Sequence, residues 1–370
     1  MNKMQNVLLL IATVILLSCN NTPEKKLSAN SQKSKSVNKK IKASDIDNSI
    51  NENTEEYKMN DLEIYFLGFD YTEEYKIKSG FFSLSDFFGY SDHPDSLVIP
   101  KQYLKSILPN NKDNFVKLIG VYRNRFLEYN HTKETDSIFV FSCDLDSIFS
   151  FQIKEVSIVA YINQYFDETR EIITQDQFVI GFEFDKEQVK IFSDEMADGT
   201  NFVYVGKTNP FVKGEIKPIL WEKVEDKLFP TNVKPFDPTL YKKSNNMRTS
   251  GTYKFETDTL NYFVQMKKLI GGCGNETTEF EGRHFAVINS KNNNVVFEKS
   301  KTIECEGDYG SFYSINNKNR GKNDYQWTGA IFKDKPPMIY FNDEAPFGCP
   351  SMFFLNSDEP PISIGCDNRH

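Results

Sequence analysis

Gln177-Phe178-Val179-Ile180-Gly181-Phe182-Glu183-Phe184 is the stretch whose reading decides the fold. Phe178, Ile180, Phe182 and Phe184 fall at every second position, the period of a strand with one buried face. Around it, residues 115–122, 137–141, 149–161, 189–192 and 202–205 are rich in branched and aromatic side chains. The chain holds 32 Phe and 18 Tyr, and these fit a pleated, half-buried surface better than a helix. The expected fold class is therefore mainly β: two β-rich domains of sandwich or small-barrel type, with few short helices.

Residues 58–208 form the first expected domain. Its one expected helix covers residues 100–108, with Pro100 in the first turn, Tyr103, Leu104, Ile107 and Leu108 on one face, and Pro109 as the stop. Asp198-Gly199 reads as a hairpin turn. Prolines 210, 218, 230, 235 and 238 mark residues 209–245 as a connection, in which Ile219, Leu220, Val224 and Leu228 suit one side of a short helix. Trp221, Phe229 and Phe236 require this stretch to pack on a neighbouring surface rather than stand in water. Residues 246–370 form the second expected domain. Its strands lie at 253–255, 260–266, 285–288, 295–298, 327–332, 338–341 and 352–355, with a hairpin turn at 289–294.

The amino end differs in kind. Residues 20–57 are Ser-, Asn-, Lys- and Glu-rich without apolar periodicity, and are expected to form a disordered tether. Before them, Lys3 precedes an apolar run from Val7 to Leu17, broken only by Thr13 and closed by Leu16-Leu17-Ser18-Cys19. The run is shorter than the roughly 20 residues a spanning helix needs, and has the layout of a cleaved export signal. Residues 1–19 resemble the lipobox signal peptide of bacterial lipoproteins. The resemblance implies cleavage before Cys19, lipidation of its sulfur, and tethering to a membrane without spanning it. With Asn20 following, it implies the outer membrane, on the periplasmic or the surface side.

Net charge is −8, although Lys25, Lys26, Lys33, Lys35, Lys39, Lys40 and Lys42 all lie in the tether. The folded part is thus more acidic than the total. That excludes a nucleic-acid partner and leaves the basic tail suited to anionic headgroups.

Four of the five cysteines after Cys19 lie in the second region: Cys273, Cys305, Cys349 and Cys366, with Cys143 standing apart. An exported chain meets an oxidising compartment, so disulfides are expected. Four cysteines allow three pairings; Cys273–Cys305 with Cys349–Cys366 closes the local loops. No Cys-x-x-Cys spacing supports zinc, and neither a metal nor a cofactor is expected. Cys143 reads as a buried, inert thiol, with His131 the nearest histidine in sequence.

Four constellations have the residue types for chemistry: Asp86 with Asp92, His93 and Asp95; Asp144 with Asp146; Asp194, Glu195, Asp198 and Asn201; and Glu279, Glu281 and His284. Ordinary loops and hairpin tips account for the first three, and the fourth shares a face only in a helix, which Gly282 opposes. Asp95-Ser96-Leu97, Asp136-Ser137-Ile138, Asp146-Ser147-Ile148 and Asp258-Thr259-Leu260 resemble the Asp-Ser/Thr-apolar acceptor of bacterial O-glycosylation. No P-loop, Gly-x-Ser-x-Gly or His-Glu-x-x-His motif is present. The expected function is a lipid-anchored, non-enzymatic envelope module that binds a protein or a glycan. The alternatives are an anchored hydrolase and a periplasmic immunity or inhibitor protein.

Overall fold

The computed structural model describes residues 62–71, 77–84, 93, 96–104, 115–163, 173–192, 200–236, 248–270, 279–302, 326–341, 349–356 and 358–365. The signal segment, the tether and the Asp198-Gly199 turn lie outside them. The alternating stretch is strand β8 (Phe178–Asp185), with Phe178, Ile180, Phe182 and Phe184 all buried. It is the central strand of a five-stranded antiparallel sheet ordered β2 (Gly68–Tyr71), β3 (Ile77–Ser83), β8, β7 (Ser157–Ile162), β4 (Phe115–Lys117). Gly181 is paired with Ser83 on one side and Val159 on the other. A Cβ there would lie 2.0 Å from the Phe82 carbonyl oxygen, so only glycine permits this approach of β8 to β3.

A second five-stranded sheet is a meander in chain order: β11 (Glu222–Val224), β12 (Arg248–Glu256), β13 (Leu260–Ile270), β14 (Glu279–Asn289) and β15 (Val295–Thr302). The expected turn at 289–294 joins β14 to β15, with Asn293 at φ 59°.

Between these two lies the third sheet, of nine strands. Its order is β10 (Ile216–Pro218), β16 (Trp327–Gly329), β17 (Met338–Tyr340), β18 (Ser351–Phe354), β19 (Ile362–Gly365), β1 (Ile64–Phe66), β9 (Asn201–Gly206), β5 (Ser137–Ser142), β6 (Ser147–Gln152). The β1–β19 pair is parallel, and through it strands from the two ends of the sequence share one ladder. The sheet curls on itself. Phe202 of β9 meets Tyr340 of β17 edge-on at 5.0 Å, although three strands separate them in the sheet. A chain of rings, Phe141–Phe211–Phe332–Phe354, closes the same inner face.

The outer face of the curled sheet is covered at each end by one five-stranded sheet. Ile138, Val140 and Val203 point into a core shared with β8 and its neighbours, while Ile339 and Phe341 point into a core shared with Tyr262, Val264, Phe285 and Val287. One flanking sheet comes wholly from the first expected region and the other from the second with β11 added by the connection, but the middle sheet draws on both regions. Glu56–His370 is accordingly one compact unit, not two domains split near residues 209–245. The proline-rich stretch has no helix at 219–228; it supplies β10, β11 and a 3-10 turn at Asp226–Leu228, because Trp221 and Ile219 are drawn into the core.

One helix follows a shortened strand and another replaces an expected one. β4 ends at Lys117, and α1 (Val121–Tyr129) follows, burying Phe126 and Leu127. Residues 189–192 end α2 (Lys186–Phe192), whose Val189 and Phe192, three apart, reach the core while Ile191 stays exposed. Asp185 and Gln188 cap α2 reciprocally, at 2.9 and 3.0 Å. Of the helix expected at 100–108, a 3-10 turn at Lys101–Leu104 is seen, and residues 105–114 lie outside the described residues. No helix among the described residues is long and apolar enough to cross a membrane.

Candidate functional site

A cleft of about 980 Å³ opens where α1 ends against the starts and ends of three strands. Glu63 and Tyr65 come from the β1 end, Glu128 and Tyr129 from the last turn of α1, His131 from the turn after it, Asp136 from the turn before β5, and Tyr204 from β9. The local sequence explains the geometry. His131, at φ 53°, reverses the chain after α1, and its backbone N–H donates to Glu128 O (3.1 Å) while that of Thr132 donates to Leu127 O (2.9 Å). Arg123 fastens this turn to the body. Its guanidinium donates to both Glu134 carboxylate oxygens (2.6 and 2.9 Å), to Val156 O (2.9 Å) and to Ile153 O (2.7 Å). Bonding to Arg123 lowers the Glu134 carboxyl below its ordinary range.

Two of the cleft tyrosines are set against glycines. Gly365 faces Tyr65 in the β1–β19 register, and a Cβ on it would lie 2.6 Å from the Tyr65 ring. A Cβ on Gly206 would come within 2.8 Å of the Tyr204 ring, which also stacks on Phe139. The Tyr65 hydroxyl donates to Glu63 at 3.0 Å, and burial, reinforced by that carboxylate, pushes its ionisation well up. Asp136 is buried and accepts the Lys133 backbone N–H at 2.9 Å. The cleft thus combines three phenol rings with three carboxylates, one exposed imidazole and the exposed Lys207 ammonium.

The other expected sites resolve as follows. Asp144 and Asp146 lie in the turn between β5 and β6, with Leu145 between them exposed and Asp146 at φ 42°. Cys143 beside them is a free, buried thiol, and burial, then these two carboxylates, push its pKa up; it is shielded and protonated, as the sequence indicated. Cys349 is disulfide-bonded, and no disulfide pair has both halves among the described residues. Cys19, Cys273, Cys305 and Cys366 lie outside the described residues, as do Asp86, Asp92, Asp95, Asp194, Glu195 and Asp198. Residues 279–284 are strand β14, so the helical face that would join Glu279 and Glu281 to His284 does not form. Among the described residues no group of three or more His, Cys, Asp or Glu is placed to hold a metal. Of the Asp-Ser/Thr-apolar acceptors, Ser96 and Thr259 are exposed, whereas Ser137 and Ser147 are half-buried at strand starts.

The structure also assembles a buried polar network that the sequence reading did not find. On the outer face of the β11–β15 sheet, beneath residues 226–236, lie Thr252, Gln265, Lys267 and His284. Burial lowers the pKa of His284, opposed by Glu298 at 3.3 Å and reinforced by Lys267. Burial likewise lowers that of Lys267, with Asp226 opposing. The one available signal was polar residues at alternate positions in strands otherwise apolar on both faces. No family model matches this chain, and neither a curated protein nor a solved structure matches it.

Proposed function

We propose that this chain is a lipid-anchored envelope protein whose body is a non-enzymatic binding module, with the α1–β1–β9 cleft taking a neutral or amine-bearing oligosaccharide. The carrying observation is the lining itself: Tyr65, Tyr129 and Tyr204 beside Glu63, Glu128 and Asp136. Sugar rings present apolar C–H faces that pack on aromatic faces, and hydroxyls that donate to carboxylates. With three carboxylates against Lys207 the lining is net acidic, which disfavours anionic saccharides. Glu63 and Asp136 are engaged by Tyr65 and by the Lys133 N–H, which suits holding a ligand better than moving protons to it. The anchor rests on the lipobox resemblance around Cys19, and the same export context supports Cys349–Cys366 and Cys273–Cys305 as disulfides. In the β18–β19 ladder Ser351 pairs with Ser363, a register that, continued, sets Cys349 opposite Gly365, the last residue of β19 and the one before Cys366 in sequence.

Binding of the full chain to neutral, amine-bearing and acidic oligosaccharides tests the reading. Tyr204→Ala and Tyr129→Ala should each weaken binding about fivefold to tenfold, the equivalent of about 1 kcal/mol. Absence of binding to any saccharide overturns the glycan assignment, and turnover of a bound oligosaccharide would make the protein a hydrolase instead. Cys19→Ser should abolish incorporation of labelled fatty acid in a bacterial host.

A further inference from the structure

Thr252, Gln265, His284 and Ser300 are register partners on the four successive strands β12, β13, β14 and β15, forming one polar row across a sheet face. Thr252 is fully buried, and Gln265 and His284 are nearly so. Phe229 and Phe236 lie against the His284 ring at 5.0 and 5.9 Å, keeping water from that side of the row. The contacts within the row have a chemical direction. The Thr252 hydroxyl donates to the Asp226 carboxylate (2.8 Å) and receives the Gln265 side-chain N–H (3.2 Å). Lys267 donates to the Gln265 carboxamide oxygen, and also to the Thr249 hydroxyl at 3.0 Å. A hydroxyl nucleophile bonded to a base thus adjoins an acyl carbon whose oxygen carries a cationic donor, the arrangement acyl transfer requires.

We propose that Thr252 and Gln265 join in an intramolecular ester, formed by the folded chain itself, which staples β12 to β13. Asp226 takes the hydroxyl proton as Thr252 Oγ1 bonds to the Gln265 Cδ, and the oxygen of the tetrahedral adduct gathers its negative charge against Lys267. The C–N bond then breaks, the amide nitrogen takes the proton back from Asp226, and ammonia leaves. A hydroxyl and a primary carboxamide become an ester and ammonia, and no oxidant, cofactor or further reactant is needed. Unactivated carboxamides are poor acyl donors in water; fixed neighbours on paired strands gain a large effective concentration instead. Asp226 is exposed, which leaves ammonia a way out, while the buried row shields the ester from hydrolysis. Asp226 rather than His284 is assigned as base, because His284 Nε2 faces Glu298 at 3.3 Å.

Mass spectrometry of the reduced, alkylated full chain decides the matter. Trypsin would release residues 249–254 and 255–267 as a linked pair, whose mass is the sum of the two peptides less one ammonia. An uncut chain across Lys254 has that sum less one water, so the two products are distinguishable. Hydroxylamine should split the linked pair only. The linkage should vanish in Thr252→Val and in Gln265→Leu, and Asp226→Asn should leave most of the chain unlinked. An intact mass with no ammonia lost, together with two separate linear peptides, would overturn the proposal, and this reading of the unaltered protein does not depend on any variant folding.

Discussion

Gly181 shows how one residue governs a sheet. With the Phe82 carbonyl 2.0 Å from where a Cβ would stand, Gly181→Ala forces β8 away from β3 and should cost about 3 kcal/mol or more, read as a lowered urea midpoint. Phe182, stacked on Phe82 at 5.5 Å and edge-on to Phe126 at 5.7 Å, should cost about 3–5 kcal/mol when cut to Ala. Arg123→Ala removes charge-assisted bonds to Glu134 and to two carbonyls; a loss of about 2–3 kcal/mol is expected, with the cleft wall loosened. His284 gives a pH signature. Its folded pKa lies below the ordinary 6.5, so on acidification past 6.5 the unfolded chain binds a proton that the folded chain refuses. Stability should therefore fall as the pH drops through 6.5 toward the lowered folded pKa, and His284→Gln should flatten that slope in urea titrations. Cys143, buried and protonated, should resist thiol reagents until the protein unfolds.

At the scale of elements, the outcome depended on whether neighbouring residues carried a complete local signal. β8 and the β14–β15 hairpin did: strict alternation in one, an asparagine-rich turn between apolar runs in the other. α2 carried a signal that was passed over. Asp185 and Gln188 make a capping box, and Val189 with Phe192 are spaced for one helical face; the same four residues 189–192 also satisfy a short strand. Asp185→Ala should accordingly destabilise by about 1 kcal/mol, measured by thermal unfolding. α1 had less to show. Its N-cap is Gly120 without a side-chain bond, and only Phe126 and Leu127 are buried, so packing rather than propensity makes it a helix. The cleft depends on that helix end, which is why no motif announced it.

For the whole molecule, the shared nine-stranded sheet is decisive. Phe139, Phe141 and Phe202 from one part of the chain bury against Phe332, Tyr340 and Phe354 from the other. Residues 58–208 expressed alone would leave this face in water and should aggregate or remain molten, whereas the intact body should unfold in one cooperative transition by calorimetry. Peptide mapping of non-reduced protein should join Cys349 to Cys366; in the chain-entropy model that loop contributes about 3 kcal/mol. The amino-acid sequence by itself determined the β class, most strand positions and the need of Trp221 and its neighbours for cover, because periodicity and side-chain type act over a few adjacent residues. Which strands share a ladder was decided only in the tertiary structure, since β1 against β19, or Thr252 against Gln265 and His284, follows from register and curvature summed over the whole chain. A cleft and a polar row made from distant segments have no local pattern to carry them.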